Sequence, residues 1–278
     1  MVAGQSKQKV ALVTGASSGM GKDFARALLS EGMVVYAAAR RVGQMDDLKQ
    51  LGAIPIKMDV TNDQDIQAVV RTIEADHGGV DVLINNAGVS MLGAMEDFNI
   101  ADARYQFEVN LFGAARLTQL VLPAMRKKQA GKIINISSLA GKMYAPLGSW
   151  YHASKHALEG WSDCLRLELA QFNIHVVIIE PGAIATEMIT GMAEPMLERS
   201  GNGPYGNTAH ALANFFKKSF EKDGVSPPNV ITDLIIKAVR AKKPKTRYSA
   251  GKHAIPLLFL RRWLSDRTFD KLVMASVK

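Results

Sequence analysis

The sequence predicts a three-layer, doubly wound α/β fold: a central parallel sheet of about seven strands with helices on both faces, then a C-terminal helical extension. Three observations predict it. Short apolar runs bounded by turn residues alternate with helical stretches along most of the 278 residues, the pattern of right-handed crossovers. Most runs are apolar on successive positions rather than every second one, which marks strands buried on both faces. No linker or repeat divides the chain, so residues 1–252 read as a single domain and 253–278 as an extension of it.

The elements follow in order. A run at Val10–Thr14 ends on the turn Thr14-Gly15-Ala16-Ser17-Ser18-Gly19-Met20-Gly21, which opens a helix over Gly21–Ser30. The second run, Met33–Ala38, leads through Ala39 into Arg40-Arg41; the third, Ile54–Met58, precedes Asp59-Val60 and a helix over Asp63–Asp76. The fourth, Val82–Asn85, passes into Asn86-Ala87-Gly88 and a long helix, Ala101–Arg126, that carries Asn110. The fifth, Lys132–Ser137, delivers Ser138 and is followed by a helix over Trp150–Gln171 bearing Tyr151 and Lys155. The sixth, His175–Glu180, runs into Pro181-Gly182-Ala183-Ile184-Ala185-Thr186; a helix at Val230–Ala241 and a strand at Thr246–Ser249 complete the sheet. Between them, residues 186–206 hold Met188, Met192, Met196 and Gly201-Asn202-Gly203-Pro204. A long interruption just past a strand end lies where ligands of open sheets bind, and it reads as a mobile substrate lid.

Composition narrows the class. Apolar content of 47% and charged content of 22% are those of a soluble globular protein. No segment approaches the roughly 20 apolar residues that span a bilayer, and Met1–Lys9 lacks the apolar stretch of a signal peptide. Cys164 is the single cysteine, so no internal disulfide forms and a cytoplasmic setting fits; in mid-helix it reads as core filler. No metal site is expected. The net charge of +8 is uneven: Lys237–Lys278 holds 12 of the 34 basic residues and two of the 26 acidic ones. The rest of the chain is near neutral, which argues against nucleic acid as a partner.

The glycine turn suits a phosphate. Gly15, Gly19 and Gly21 allow tight curvature and close backbone approach, and the helix that follows presents unpaired N–H groups and its positive dipole end. Its spacing is Gly-x-x-x-Gly-x-Gly. The second strand ends on arginines rather than on the carboxylate that usually holds an adenosine ribose. A guanidinium grips a 2′-phosphate where a carboxylate would repel it. NADP(H) is therefore preferred over NAD(H), with Arg40 as the clamp. Tyr151 and Lys155, four apart on a helix, share one face, and a nearby ammonium is expected to lower the phenol's pKa and fit it for acid–base work. Ser138 or its neighbour Ser137 would donate to a developing oxyanion; alternation along a strand lets only one of them face a substrate.

In this order the motifs resemble those of the short-chain dehydrogenase/reductase family, over residues from about 8 to 250. The resemblance rests on the turn at 14–21, Asp59-Val60, Asn85-Asn86-Ala87-Gly88, Asn110, Ser138, Tyr151/Lys155 and the Pro181–Thr186 segment; Met20 stands where Ile or Leu is usual. It implies a Rossmann-type fold and hydride transfer between a nicotinamide and a carbonyl or alcohol carbon. It selects Ser138 over Ser137 and makes Tyr151 the proton donor. It further implies that Lys155 holds the nicotinamide ribose and that Asn110 anchors a water of the proton relay. Gly15, Ser17, Ser18, Gly19, Met20 and Gly21 would hold phosphates, Asp59 and Val60 the adenine, and Asn86, Ala87 and Gly88 the adenosine side. Pro181, Gly182, Ile184 and Thr186 would bracket the nicotinamide. The central and C-terminal stretches resemble the hydroxysteroid and retinol dehydrogenase branch, which implies a lipophilic ketone, aldehyde or secondary alcohol.

The apolar segment 139–150 and the lid methionines fit an adaptable apolar pocket or, equally, packing of the lid itself. Beyond Lys252, apolar residues flanked by Arg and Lys form an amphipathic helix that lies on an anionic membrane surface, covers the substrate opening or packs on the body, packing being favoured. The helices Ala101–Arg126 and Trp150–Gln171 are long and partly apolar on more than one face, and the family resemblance implies that they form the contacts of a homodimer or homotetramer. Two competing readings are a cofactor-sensing regulator on the same fold and a sugar-nucleotide epimerase or dehydratase. The intact Ser138, Tyr151 and Lys155 speak against the first, the glycine spacing and the short C-terminal region against the second.

Overall fold

The computed structural model describes residues 8–186, 191–221 and 224–277. Seven strands form one parallel sheet in the order β3-β2-β1-β4-β5-β6-β7: β1 Val10–Thr14, β2 Val34–Ala39, β3 Ile54–Lys57, β4 Val82–Asn85, β5 Gly131–Ile136, β6 Ile174–Pro181 and β7 Arg247–Ala250. The order reverses between β1 and β4, and a crevice opens beyond their carboxyl ends.

Side-chain alternation sorts the core into two layers. Ala11 and Val13 of β1 face one side, with Phe24 and Leu28 of α1 (Gly19–Ser30), Leu48 of α2 (Asp46–Gln50) and Ile231 and Ile235 of α9 (Asn229–Arg240). Val10 and Leu12 face the other side. There they meet α3 (Asp63–His77), α5 (Gly113–Lys128) and α6 (Ser149–Leu169) through Ile66, Val70, Leu117, Val121 and Leu165. All five β1 residues are buried, as continuous apolar runs require.

Local chemistry fixes the ends of these elements. Asn62 caps α3 by accepting from the backbone N–H groups of Gln64 and Asp65, and Gly78 ends that helix in the left-handed region at φ 76°. A third, smaller cluster lies beyond the strand ends. Leu92, Leu147, Met196 of α7 (Ala193–Ser200), Leu212 of α8 (Gly206–Glu221) and Val277 bury one another there, with Tyr151 and Phe216 against them.

Several expectations are corrected. Ala101–Arg126 is not one helix: α4 (Ile100–Phe107) and α5 are joined by a π turn at Glu108–Phe112. The segment read as a loop over 186–206 contains α7, and α8 follows directly; residues 187–190 of the predicted lid lie outside the described residues. Cys164 is exposed rather than core filler, because its place on α6 turns away from the sheet. The C-terminal region forms two helices, α10 (Ala254–Trp263) and α11 (Asp266–Ser276). Among the described residues, no helix is long and apolar enough to cross a membrane.

Candidate active site

A cavity of about 650 Å³ lies over the carboxyl ends of β1, β4, β5 and β6. Every residue named from the sequence for cofactor or catalytic work lines it, except Asn110.

At one end is the glycine turn. Gly15 and Gly19 hold positive φ angles of 66° and 52°, which favour glycine. A Cβ on Gly15 would sit 3.0 Å from the Ala87 Cα, and one on Gly21 would run into the Gly15 carbonyl. Ser18, the extended N-cap of α1, makes no side-chain capping bond, and the first turn holds no acidic residue. Backbone N–H groups thus face the cavity without a competing side-chain acceptor, so the residues present fit a pyrophosphate.

Thr14, which was not singled out from the sequence, clasps this turn to the end of β4. Its Oγ1 accepts from the backbone N–H of both Asn86 and Ala87 at 2.9 Å. The Asn86 side chain donates back to the Thr14 carbonyl at 2.9 Å, so it braces the turn as well as lining the cavity.

Arg40 and Arg41 stand at the end of β2. Arg40 donates to the Tyr105 hydroxyl at 3.0 Å and lies 4.0 Å from Asp59 Oδ2. Arg41 reaches across to the Ser18 hydroxyl at 3.4 Å, beside the turn. Asp59 accepts from the Thr61 backbone N–H and hydroxyl through Oδ1.

Near the centre, Lys155 is 6% exposed and its Nζ donates to the Ile136 carbonyl at 2.9 Å, tying α6 to the end of β5. Burial pulls its pKa down to about 8, opposed by the Glu159 carboxylate one turn along α6. Tyr151 departs from the sequence expectation. Burial pushes its phenol up, and the hydrogen bond with the Ser138 hydroxyl pulls it down. The Lys155 ammonium spends a hydrogen bond on Ile136, and desolvation of the ring outweighs any lowering by charge.

Ser138 adopts extended backbone at the start of a short 3₁₀ turn, where its hydroxyl accepts from the Ala140 N–H at 3.2 Å. Ser137 also borders the cavity, so strand alternation alone does not separate the two serines. Its hydroxyl is buried and without a hydrogen-bond partner. His152, overlooked in the sequence, fastens this turn to α6: its Nδ1–H donates to the carbonyls of Met143 at 2.7 Å and Ala140 at 3.1 Å.

Asn110 lies behind the cavity wall, 2% exposed, within the π turn. Its amide donates to the Val89 carbonyl at 2.9 Å and to Ser154 Oγ at 3.0 Å, and its Oδ1 accepts from the Val89 N–H. Such turns recur at functional sites because they offset the helix by one residue. No periodicity in the sequence announces one.

The segment after β6 is held by backbone bonds: Gly182 N–H to Ala250, Ala183 to Lys252 and Ala185 to Ser226. A side chain on Gly182 would strike the Lys252 carbonyl. The far wall is apolar. Met143, Met192, Leu212 and Phe216 are joined there by Leu257 of α10 and by Leu272 and Val273 of α11, so the C-terminal region forms part of the cavity.

Comparison with known proteins agrees with this fold. The sequence profile described as short chain dehydrogenase matches residues 9–196. The chain is 35% identical over 264 residues to a 3-ketodihydrosphingosine reductase of Bacteroides thetaiotaomicron, covering 93% of this chain and 94% of that protein. It is 34% identical to an NADPH-dependent 3-dehydrocapnine reductase of Ornithobacterium rhinotracheale, covering 97% and 98%. Retinol dehydrogenase 8 of Bos taurus is 30% identical, with 91% and 85% covered. Among solved structures, a short-chain dehydrogenase from Streptomyces avermitilis superposes with a TM-score of 0.81 at 33% identity, covering 97% of this chain and 96% of that one. The closed form of serine dehydrogenase complexed with NADP+ gives 0.75 at 25%, covering 87% and 94%. A short-chain dehydrogenase/reductase from Burkholderia phymatum in complex with NAD gives 0.79 at 25%, covering 96% and 95%. In motif order, sheet topology and sequence, the chain belongs to the short-chain dehydrogenase family of oxidoreductases.

Proposed function

We propose that this protein is an NADP(H)-dependent oxidoreductase that interconverts a lipophilic ketone or aldehyde and the corresponding alcohol. The observation that carries the reading is one cavity with a phosphate-ready glycine turn at one end, an apolar wall at the other, and Ser138, Tyr151 and Lys155 between them. A nicotinamide cofactor, when bound, supplies or takes up the hydride. The chain's own residues do the rest. Tyr151 gives its phenolic proton to the carbonyl oxygen, and Ser138 donates a hydrogen bond to that oxygen as charge develops. Lys155 holds the nicotinamide ribose and places positive charge beside the phenol. Asn110, its side chain committed to Val89 and Ser154, sets the π turn that anchors a relay water.

The substrate class draws on the apolar wall and on relatives whose names describe reduction of a ketodihydrosphingosine and a dehydrocapnine and dehydrogenation of retinol. The direct test is a screen of lipophilic carbonyls and alcohols against both cofactors, followed at the absorbance of the reduced ring. Turnover with NADPH is expected. Tight cofactor binding with no turnover across the panel would instead identify a sensor.

Preference for NADP(H) rests on Arg40 and Arg41, since no carboxylate ends β2. A hydrogen bond to a charged phosphate contributes about 1.5–3 kcal/mol, roughly 10- to 150-fold in affinity. Arg40→Ala and Arg41→Ala should each weaken NADPH binding within that range and leave NADH binding nearly unchanged, measured by fluorescence titration. Equal losses for both cofactors would refute the clamp.

A pH dependence follows from Lys155. Its ammonium is present below about pH 8 and lost above it, whereas Tyr151, pushed upward, stays protonated across that range. NADPH affinity and kcat/KM for reduction should therefore fall as pH rises through about 8. Lys155→Met should remove that step from the binding profile. A step that survives the substitution belongs to another group.

A further inference from the structure

We propose that α10 and α11 dock the apolar end of the cavity onto an anionic lipid surface, which becomes the source of substrate. The helices pack on the body, as the sequence favours, but of α10 only Ala254 is fully buried. Ile255, Phe259 and Trp263, spaced by four, are 69%, 62% and 68% exposed, and the Phe259 and Trp263 rings lie 6.3 Å apart. Residues four apart share a helix face, so the three form one stripe. Arg262 stands beside it, its guanidinium 5.7 Å from the Trp263 ring. On α11, Phe269 and Val273 are buried while Arg267, Lys271 and Met274 are exposed, at helical spacing along one side.

The two helices are braced against the body. Arg261 pairs with Asp266 at 3.1 Å and covers the rings of Tyr144 and Phe269, and Tyr144 donates to Asp270 at 2.9 Å. Leu257, Leu272 and Val273 on the same helices line the cavity, so one helix thickness separates the exposed stripe from the substrate end.

Charge selects the occupant. α10 and α11 carry Arg261, Arg262, Arg267 and Lys271 against Asp266 and Asp270, and Arg261 is the partner of Asp266. An apolar stripe rimmed by Arg and Lys is the signature of a helix seated at the headgroup boundary of an anionic bilayer. A second copy fits poorly, because a two-fold contact would set Arg262, Arg267 and Lys271 against their own counterparts. Loading of substrate from the bilayer rests on the lipophilic-substrate reading; the docking surface does not.

The test sediments the full chain with vesicles of phosphatidylcholine alone and of phosphatidylcholine with phosphatidylglycerol. Binding is expected to the anionic vesicles, weakening with salt as screening shortens the reach of surface charge. The combined variant Ile255→Ser, Phe259→Ser, Trp263→Ser should lower the partition coefficient roughly tenfold or more, with unchanged NADPH affinity as the control for folding. Arg262→Gln with Arg267→Gln and Lys271→Gln should abolish the preference for the anionic lipid. Wild-type protein that fails to bind anionic vesicles, or a serine variant that binds them as well, overturns the proposal. So does a dimer in ultracentrifugation that the serine variant dissolves in the absence of any vesicle binding. Sedimentation needs no turnover, so failure of the enzymatic reading leaves this result interpretable.

Discussion

Tyr151→Phe is expected to lower kcat by about two to four orders of magnitude, the usual contribution of a positioned general acid, while NADPH affinity stays near that of the unaltered protein. The substitution removes one oxygen and keeps the ring that packs in the satellite cluster and meets His152 edge-on at 6.0 Å. What disappears is the partner of the Ser138 hydroxyl and, in the proposed mechanism, the proton donor. Because burial holds the phenol above its ordinary value, the group is an acid that keeps its proton at neutral pH, which suits the reductive direction. Oxidation of an alcohol needs the phenolate and should improve as pH rises. Single-turnover measurement of the hydride step with saturating NADPH separates the loss of chemistry from any loss of binding. A variant within tenfold of the parent rate would remove Tyr151 from the mechanism.

Arg247→Ala should cost about 3–5 kcal/mol of folding stability, the penalty for leaving buried charge unpaired. From β7 its guanidinium meets Glu159 Oε2 at 3.0 Å, Asp163 Oδ2 at 2.6 Å and Glu180 Oε1 at 3.2 Å. Glu159 and Glu180 are almost wholly enclosed, and Lys142, at 3.1 Å from Glu159, is the one other cation paired with them among the described residues. Burial already pushes the Glu180 carboxyl up, with the Ser249 hydroxyl pulling the other way. Without the arginine that carboxyl must take a proton or admit water. The side chain of Arg247 is 27% exposed, which puts the loss toward the lower end of the range. Urea unfolding should show it as a shift of midpoint at unchanged slope, and adding Glu180→Gln should recover part of it. A single variant as stable as the parent would show that solvent already screens the cluster.

How far the sequence carries depends on the kind of signal. Strands apolar on successive positions, the glycine turn and the Tyr151/Lys155 spacing are local patterns, and each places its element to within a residue or two. The arginines after β2 are read from the strand end in the same way, whereas the choice of Ser138 over Ser137 rests on the family resemblance, since both serines border the cavity. The misses are positions where tertiary contacts decide. The π turn depends on Asn110 clasping Val89, a partner 21 residues away. Met196 and Leu212 lie in α7 and α8, which bury their apolar faces against Leu92, Leu147 and Val277, so no single segment announces them. Cys164, between Asp163 and Leu165, follows α6 outward, a face that residue type alone does not assign. The Tyr151 shift runs opposite to the sequence expectation because spacing reveals a nearby cation but not the loss of water around the ring.

The cavity joins distant parts of the sequence: Gly15 lies at its glycine-turn end and Val277 in its apolar wall. During synthesis the order of appearance matters, since the amino-terminal strands and the turn emerge first. A nascent chain still short of its final helix would already hold the groove for a dinucleotide but would leave the apolar chamber unwalled. The apolar chamber is thus completed late, when α11 takes its place in the wall.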